Sequence, residues 1–140
     1  CKRLSDTGLA ALSQHLQFLY SLDLSFCTRL NSKAIIDLLE LRADSLVELR
    51  LQSCTNLSIG SHKDRRRPHI YPGSAGRSIV ATLQKLRNTS CLSALDLRDC
   101  GGQTSTSQRG YLPEDPFAKA MTSLGFQQRV SGYFDRTIIV

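Results

Sequence analysis

The side chains best suited to chemistry in this chain are its cysteines and histidines, which bind zinc or act as a nucleophile and its base when they stand close together. The sequence holds five cysteines and three histidines, the latter being His15, His62 and His69. No Cys-x-x-Cys, His-x-x-x-His or glycine-rich phosphate loop gives them the spacing that such sites need. We therefore predict a chain that is not an enzyme and that binds no metal and no cofactor.

Most of the cysteines instead follow a regular pattern of leucines. The pattern L-x-x-L-x-L-x-x-C occurs three times, ending at Cys27, Cys54 and Cys100, and Cys1 stands 26 residues before the first of these. Its leucines are Leu19, Leu22 and Leu24; Leu46, Leu49 and Leu51; and Leu92, Leu95 and Leu97. Each match predicts a short strand with inward leucines, followed by a turn that a buried structural thiol supports. Free thiols of this kind indicate a reducing compartment, so we expect a cytoplasmic or nuclear location.

Helical patterns lie between the predicted strands. Apolar residues recur at helical spacing over Leu4–Leu16, Ala34–Leu41 and Ser78–Asn88, and an amphipathic stretch over Pro113–Phe126 predicts a fourth helix. Ser5 or Asp6 is the predicted N-cap of the first helix, and Asn31 or Ser32 is that of the second. The tail Val130–Val140 is rich in aromatic and β-branched residues, which favour a strand. The chain is therefore predicted to alternate helices with short strands.

The spacing of the cysteines also predicts how the chain is organised. Cys54 and Cys100 are 46 residues apart, which leaves room for an insertion beyond one repeat. We predict one domain over residues 1–140, with regular repeats over 1–60, a basic inserted loop over 61–77, a last repeat over 78–100, and a polar loop and C-terminal cap over 101–140. Because Cys1 occupies the last position of a repeat, we expect the chain to be the C-terminal part of a longer one.

The strand residues that alternate with the leucines define a second, polar side of the predicted strands. The partner-binding residues predicted there are Ser21, Asp23, Ser25, Glu48, Arg50, Gln52, Asp96 and Arg98. Because neighbouring strands lie about 4.8 Å apart, Asp23, Arg50 and Asp96 are expected to form a row of alternating charge. Such a row suits a polar protein partner. Alternatively, the three charges only neutralise one another as exposed ion pairs, each of which contributes little free energy.

A basic run in the predicted insertion is the other candidate contact. It consists of Lys63, Arg65, Arg66 and Arg67 and accounts for much of the formal net charge of +6. The run resembles a nuclear-import signal or a contact for an acidic partner. Nucleic-acid binding is the weaker alternative, because the charge is confined to one loop and does not follow an element. No apolar run approaches the length of a membrane span, so we expect no membrane association.

The leucine and cysteine positions give the chain a family resemblance. The segments LSDTGLAAL, LQFLYSLDLSFCTRLNSKAI and LVELRLQSCTNLS, with CLSALDLRDC as a third, interrupted match, resemble the cysteine-containing leucine-rich repeats of F-box proteins. The resemblance covers residues 1 to about 100. It implies an α/β leucine-rich repeat solenoid, with short parallel strands on the concave side, helices on the convex side and a C-terminal capping element.

The resemblance also implies a function. In F-box proteins the repeats hold a protein substrate, while an upstream F-box holds the adaptor of a cullin–RING ubiquitin ligase. No F-box is present in this sequence, and the chain is expected to be a non-catalytic substrate-recognition part of such a ligase. The alternative is a non-ligase scaffold or regulatory adaptor that uses the same kind of repeat.

Overall fold

The structure is a computed structural model, and it describes residues 3–54, 57, 79–98, 100, 116–130 and 132–136. Within these residues four helices and five short strands are found. Their order is α1 (Asp6–His15), β1 (Ser21–Asp23), α2 (Ser32–Leu41), β2 (Glu48–Arg50), α3 (Ile79–Lys85), β3 (Ala94–Asp96), α4 (Pro116–Ser123), β4 (Gln127–Val130) and β5 (Tyr133–Asp135).

The first two helices begin at side-chain caps of the type that their sequences predict. Ser5 accepts a hydrogen bond from the Gly8 N–H at 3.2 Å, and Asn31 accepts one from the Ala34 N–H at 3.1 Å. Each cap satisfies a backbone donor that has no partner inside its helix. Helix α1 contacts α2, α2 contacts α3, and α3 contacts α4. The helices therefore follow one another in space in the same order as in the chain.

The five strands form one mixed sheet with the order β1-β2-β3-β5-β4. Strands β1, β2 and β3 are parallel, an arrangement that needs crossover connections such as α2 and α3 provide. Strand β5 pairs antiparallel with β3, and β4 pairs antiparallel with β5, with an irregular step between Gln128 and Val130. The C-terminal β4–β5 hairpin therefore reverses the direction of the sheet.

The predicted leucine-rich repeat solenoid is wrong. The structure instead has a single sheet of parallel and antiparallel strands, accompanied by four helices within the described residues. A solenoid grows because each added unit continues the same parallel stack. Here the parallel stack ends at its third strand, because β5 approaches β3 from the opposite direction. The leucine pattern indicates which side chains face the core, whereas the direction of strand pairing depends on where the chain turns back.

The core contains the predicted inward leucines. Leu22, Leu49, Leu95 and Phe134 are aligned across four strands; the last three are at most 2% exposed, and Leu22 is partly buried at the sheet edge. The helices contribute Leu9, Ile35, Leu38, Ile79, Leu83 and Met121, all of which are buried. Apolar burial between the sheet and the helices thus supplies the main favourable term for folding.

The cysteine turns have the structural role that the sequence predicts. Cys27, Cys54 and Cys100 are fully buried and free. The Cys54 thiol donates to the Leu24 carbonyl at 3.0 Å, and the Cys100 thiol donates to the Leu51 carbonyl at 2.7 Å. Each thiol therefore ties its own turn to the end of the preceding strand, and burial raises the pKa of Cys54 to about 11.

Candidate protein-interaction site

Strand register brings most of the predicted partner-binding residues onto one side of the sheet. Ser21 aligns with Glu48 and Ala94, and Asp23 aligns with Arg50 and Asp96. Backbone hydrogen bonds continue this register beyond the strands, from the Phe26 N–H to the Gln52 carbonyl at 2.8 Å and from the Ser53 N–H to the Arg98 carbonyl at 2.7 Å. These hydrogen bonds place Ser25, Gln52 and Arg98 in a third row.

We call this surface the polar face. It comprises the strand residues that alternate with the core row and the three residues that follow the strands: Ser21, Asp23, Glu48, Arg50, Ala94, Asp96, Tyr133, Asp135, Ser25, Gln52 and Arg98.

The charges of the polar face pair mainly along the strands. Glu48 and Arg50 form an ion pair with 2.6 Å between Oε1 and Nε, and Asp96 and Arg98 form one with 2.7 Å between Oδ2 and Nη2. Residues two positions apart lie on the same side of a strand, which makes these contacts geometrically easy. The hydrogen bond and charge of Glu48 raise the pKa of Arg50. The charges were expected to neutralise one another across strands, whereas each of these pairs joins two residues of one chain segment, in β2 and at the end of β3.

The aspartates at the two ends of the predicted charge row differ in exposure. Asp96 is 1% exposed and is held by Arg98, so its carboxylate does not offer the surface contact that we expected. Asp23 is exposed, and its Oδ1 accepts a hydrogen bond from the Ser25 N–H at 2.9 Å. Hydrogen bonding by the hydroxyl and the backbone of Ser25 lowers the pKa of Asp23. Asp23 is therefore a fixed, ionised carboxylate at the surface.

Two residues at the end of the parallel strands have an unusual backbone conformation. Phe26 has φ of 65° and Ser53 has φ of 59°, both in the left-handed region that glycine favours. They occupy equivalent positions, immediately before Cys27 and Cys54. Phe26 is 50% exposed, so the turn holds an aromatic ring at the rim of the polar face. The equivalent Asp99 lies outside the described residues.

The C-terminal hairpin adds residues that the sequence analysis did not assign to the site. Tyr133 aligns with Asp96, and Asp135 aligns with Ala94. Arg129 in β4 forms an ion pair with Asp135 at 2.8 Å. The alternation of Tyr133, Phe134 and Asp135 is a readable signal for a two-faced strand, but only its antiparallel pairing with β3 identifies the surface that it extends.

Large apolar side chains are also exposed beside β1, which is an edge strand of the sheet. Phe18 is 89% exposed, Tyr20 is 65% exposed and Leu16 is 42% exposed. On the helical side, a groove of about 690 Å³ runs between α1 and α2 and is lined by Asp6, Thr7, Ser13, Gln14, Asn31 and Asp37, among others. Exposed aromatic residues near one edge of a sheet are typical of interaction surfaces.

The remaining candidate contacts cannot be placed relative to the polar face, because they lie outside the described residues. Lys63, Arg65, Arg66 and Arg67 lie outside the described residues, as do His62, His69 and the residues 137–140. Among the residues that the structure describes, no cluster of three or more His, Cys, Asp or Glu side chains is placed to hold a metal ion. Within the same part of the chain, no helix has the length and apolar character needed to cross a membrane.

Comparison of the chain with protein-family models, with curated proteins and with solved structures finds no match. The residues and their geometry are therefore the basis for assigning a function.

Proposed function

We propose that this chain is a protein-interaction module that binds a partner protein through the polar face of its sheet. The observation that supports this most directly is the alignment of the exposed Asp23 and Arg50 in one row, with Ser21 and Glu48 beside them. Short strands joined by buried cysteine turns hold these side chains on a rigid base, and rigid placement lowers the entropy cost of binding. The exposed Phe26 supplies an apolar contact at the rim.

A more specific proposal concerns the kind of complex. The resemblance of the leucine and cysteine positions to the repeats of F-box proteins supports a non-catalytic, substrate-recognition role in a cullin–RING ubiquitin ligase, acting in the cytoplasm or nucleus. The alternative is a regulatory adaptor outside any ligase, which would use the same polar face.

The test is affinity capture of the complete protein from cells, followed by mass spectrometry of the bound proteins. One variant combines Glu48→Ala with Arg50→Ala and removes an ion pair from the polar face. The matched control combines Lys33→Ala with Asp37→Ala and removes an exposed ion pair from α2, with the same change of charge. Loss of a partner from the first variant and its retention by the control is the expected result.

The same experiment separates the two kinds of complex. A cullin and its adaptor recovered with all three versions would support the ligase proposal, because those subunits bind outside the polar face. Recovery of the partner without any ligase subunit would favour the regulatory adaptor. Equal recovery of every partner with both variants would show that the polar face is not the binding surface.

A further inference from the structure

At the end of β3, an arginine of the chain binds an aspartate of the same chain through both carboxylate oxygens. Asp96 accepts hydrogen bonds from the Arg98 guanidinium, at 2.9 Å between Nε and Oδ1 and at 2.7 Å between Nη2 and Oδ2. Its Oδ1 also accepts the backbone N–H of Arg98 at 3.1 Å. This is a bidentate contact, in which two N–H groups of the planar guanidinium bind the two oxygens of the carboxylate.

At the end of β1, an aspartate has the same backbone contact but lacks the arginine. Asp23 occupies the position in β1 that Asp96 occupies in β3, since both align with Arg50 of the intervening strand. The backbone N–H two residues later binds the carboxylate in both strands, from Ser25 at 2.9 Å and from Arg98 at 3.1 Å. That position is an arginine after β3 and a serine after β1, and the Ser25 hydroxyl also hydrogen-bonds Asp23. Within the described residues, no ion pair joins a guanidinium to Asp23.

The charge balance of the polar face makes Asp23 distinctive. Within the described residues, three of the four carboxylates of the polar face, those of Glu48, Asp96 and Asp135, form ion pairs with arginines. The fourth, Asp23, belongs to none of the ion pairs found among those residues. Its neighbour in the row, Arg50, is engaged by Glu48. Asp23 is thus an exposed negative charge on a surface whose other charges are balanced.

We propose that the partner protein places an arginine on Asp23, in the position that the Arg98 guanidinium occupies on Asp96. The proposal rests on the proposed function, because it names the chemistry by which the polar face recognises its partner. Arginine fits better than lysine, since an ammonium group cannot contact both carboxylate oxygens with two parallel hydrogen bonds. The partner is therefore a protein with an exposed arginine on its contact surface, opposite the edge strand β1.

A substitution at Ser25 can place a guanidinium of the chain itself on Asp23, where the partner's arginine is proposed to bind. Ser25→Arg places a guanidinium two residues after Asp23 and reproduces the arrangement of Asp96 and Arg98. Ser25→Gln is the control, because it lengthens the side chain without adding charge. Asp23→Asn removes the negative charge itself and keeps the shape of the side chain. The changes lie at the end of β1 and in the turn that follows it, outside the core, and circular dichroism checks that each variant folds.

The first readout uses a defined probe, the peptide acetyl-Gly-Arg-Gly-amide, added to the isotope-labelled chain in NMR titrations. The Ser25 amide is the reporter because its N–H binds the Asp23 carboxylate. A single exposed ion pair binds weakly, so we compare the size of the shift between peptides at one concentration. We expect a larger shift with the arginine peptide than with the citrulline peptide, its uncharged analogue. We expect this difference to disappear in Asp23→Asn and Ser25→Arg and to persist in Ser25→Gln. Equal shifts with both peptides in the unmodified chain would overturn the proposal.

The second readout is partner capture from cells with the same variants. Asp23→Asn and Ser25→Arg are expected to bind the partner about tenfold more weakly or worse, which is the range for a lost hydrogen bond to a charged group. If the Glu48→Ala/Arg50→Ala variant loses the partner while Asp23→Asn and Ser25→Arg keep it, the arginine contact is wrong and the proposed function stands. If every variant keeps the partner, the proposed function fails and the arginine contact fails with it.

Discussion

Leu49 is the residue at which the packing of the sheet can be tested most sharply. It lies in β2 between Leu22 and Leu95, and it is 0% exposed. Leu49→Ala removes buried methyl and methylene groups and leaves a cavity in a row that is closed on both sides by neighbouring strands. Substitutions of this type cost about 3 to 5 kcal/mol when the surroundings cannot relax. A domain of this size has a stability of roughly 5–15 kcal/mol, so the loss is a large fraction of the total.

The same row provides a matched comparison. Leu22 has the same side chain in the same register, but it lies in the edge strand and is only partly buried. Leu22→Ala should therefore cost about 1 to 2 kcal/mol, because part of its side chain is solvated and the edge can relax. Arg50→Ala, next to Leu49 in the chain but on the polar face, should change the free energy of unfolding by about 1 kcal/mol or less, since its ion pair is exposed to solvent.

Urea unfolding followed by circular dichroism measures these differences. With a slope of about 1–3 kcal/mol per molar urea, a loss of about 3 to 5 kcal/mol should lower the Leu49→Ala midpoint by roughly 1 to 5 M. The expected order of destabilisation is Leu49→Ala, then Leu22→Ala, then Arg50→Ala. If Leu22→Ala costs as much as Leu49→Ala, or if Arg50→Ala is the most damaging of the three, the assignment of the core row and the polar face is wrong.

Three further predictions concern the turns that connect the strands. Burial of Cys54 raises its pKa from 9.0 to about 11, so its contribution of roughly 2–3 kcal/mol is complete below pH 9 and is lost as the pH rises through 11. The stability of Cys54→Ala should therefore fall less between pH 8 and pH 11 than that of the unmodified protein, and urea unfolding midpoints at the two pH values measure this. An equal fall in midpoint for both proteins would contradict the prediction. In the native protein a thiol reagent should modify the partly exposed Cys91 before Cys54, which peptide mapping by mass spectrometry detects; simultaneous modification would indicate an open turn. Gly132→Ala should destabilise the protein more than Gly125→Ala: both glycines have positive φ, but a Cβ on Gly132 would lie 3.0 Å from the Cα of Arg98, whereas one on Gly125 meets nothing within 4 Å. Equal melting temperatures for the two variants would refute the close approach of the hairpin.

The sequence predicts the local structure around the cysteines well, and the reason is physical. Alternating leucines can bury one side of a strand in only one register, since a shift by one residue would expose Leu49 and bury Arg50. The capping residues Ser5 and Asn31 likewise locate the starts of α1 and α2 from local hydrogen bonding alone. These features involve residues close together in the chain, so they can be read without knowing the fold.

The residues of the candidate site can be predicted from the sequence only in part. The polar residues of the first three strands are identified by alternation, and the register in the structure brings them together in rows. Which charges are paired is evident from the sequence only in part, because the residues two positions after Asp23 and Asp96 can be read from it but the burial of Asp96 cannot. The side chain two positions later decides the difference, together with burial of Asp96 that depends on tertiary contacts.

By itself, the sequence determined which leucines and cysteines face the core, where the first two helices start and which residues share one side of the strands. Only the tertiary structure decided that β5 runs antiparallel beside β3, that Tyr133 and Asp135 extend the polar face, and that the predicted solenoid does not form. The physical reason is the range of the interactions. Side-chain periodicity and capping act over a few residues, whereas strand order and direction depend on contacts between segments about 40 residues apart, such as Leu95 and Phe134.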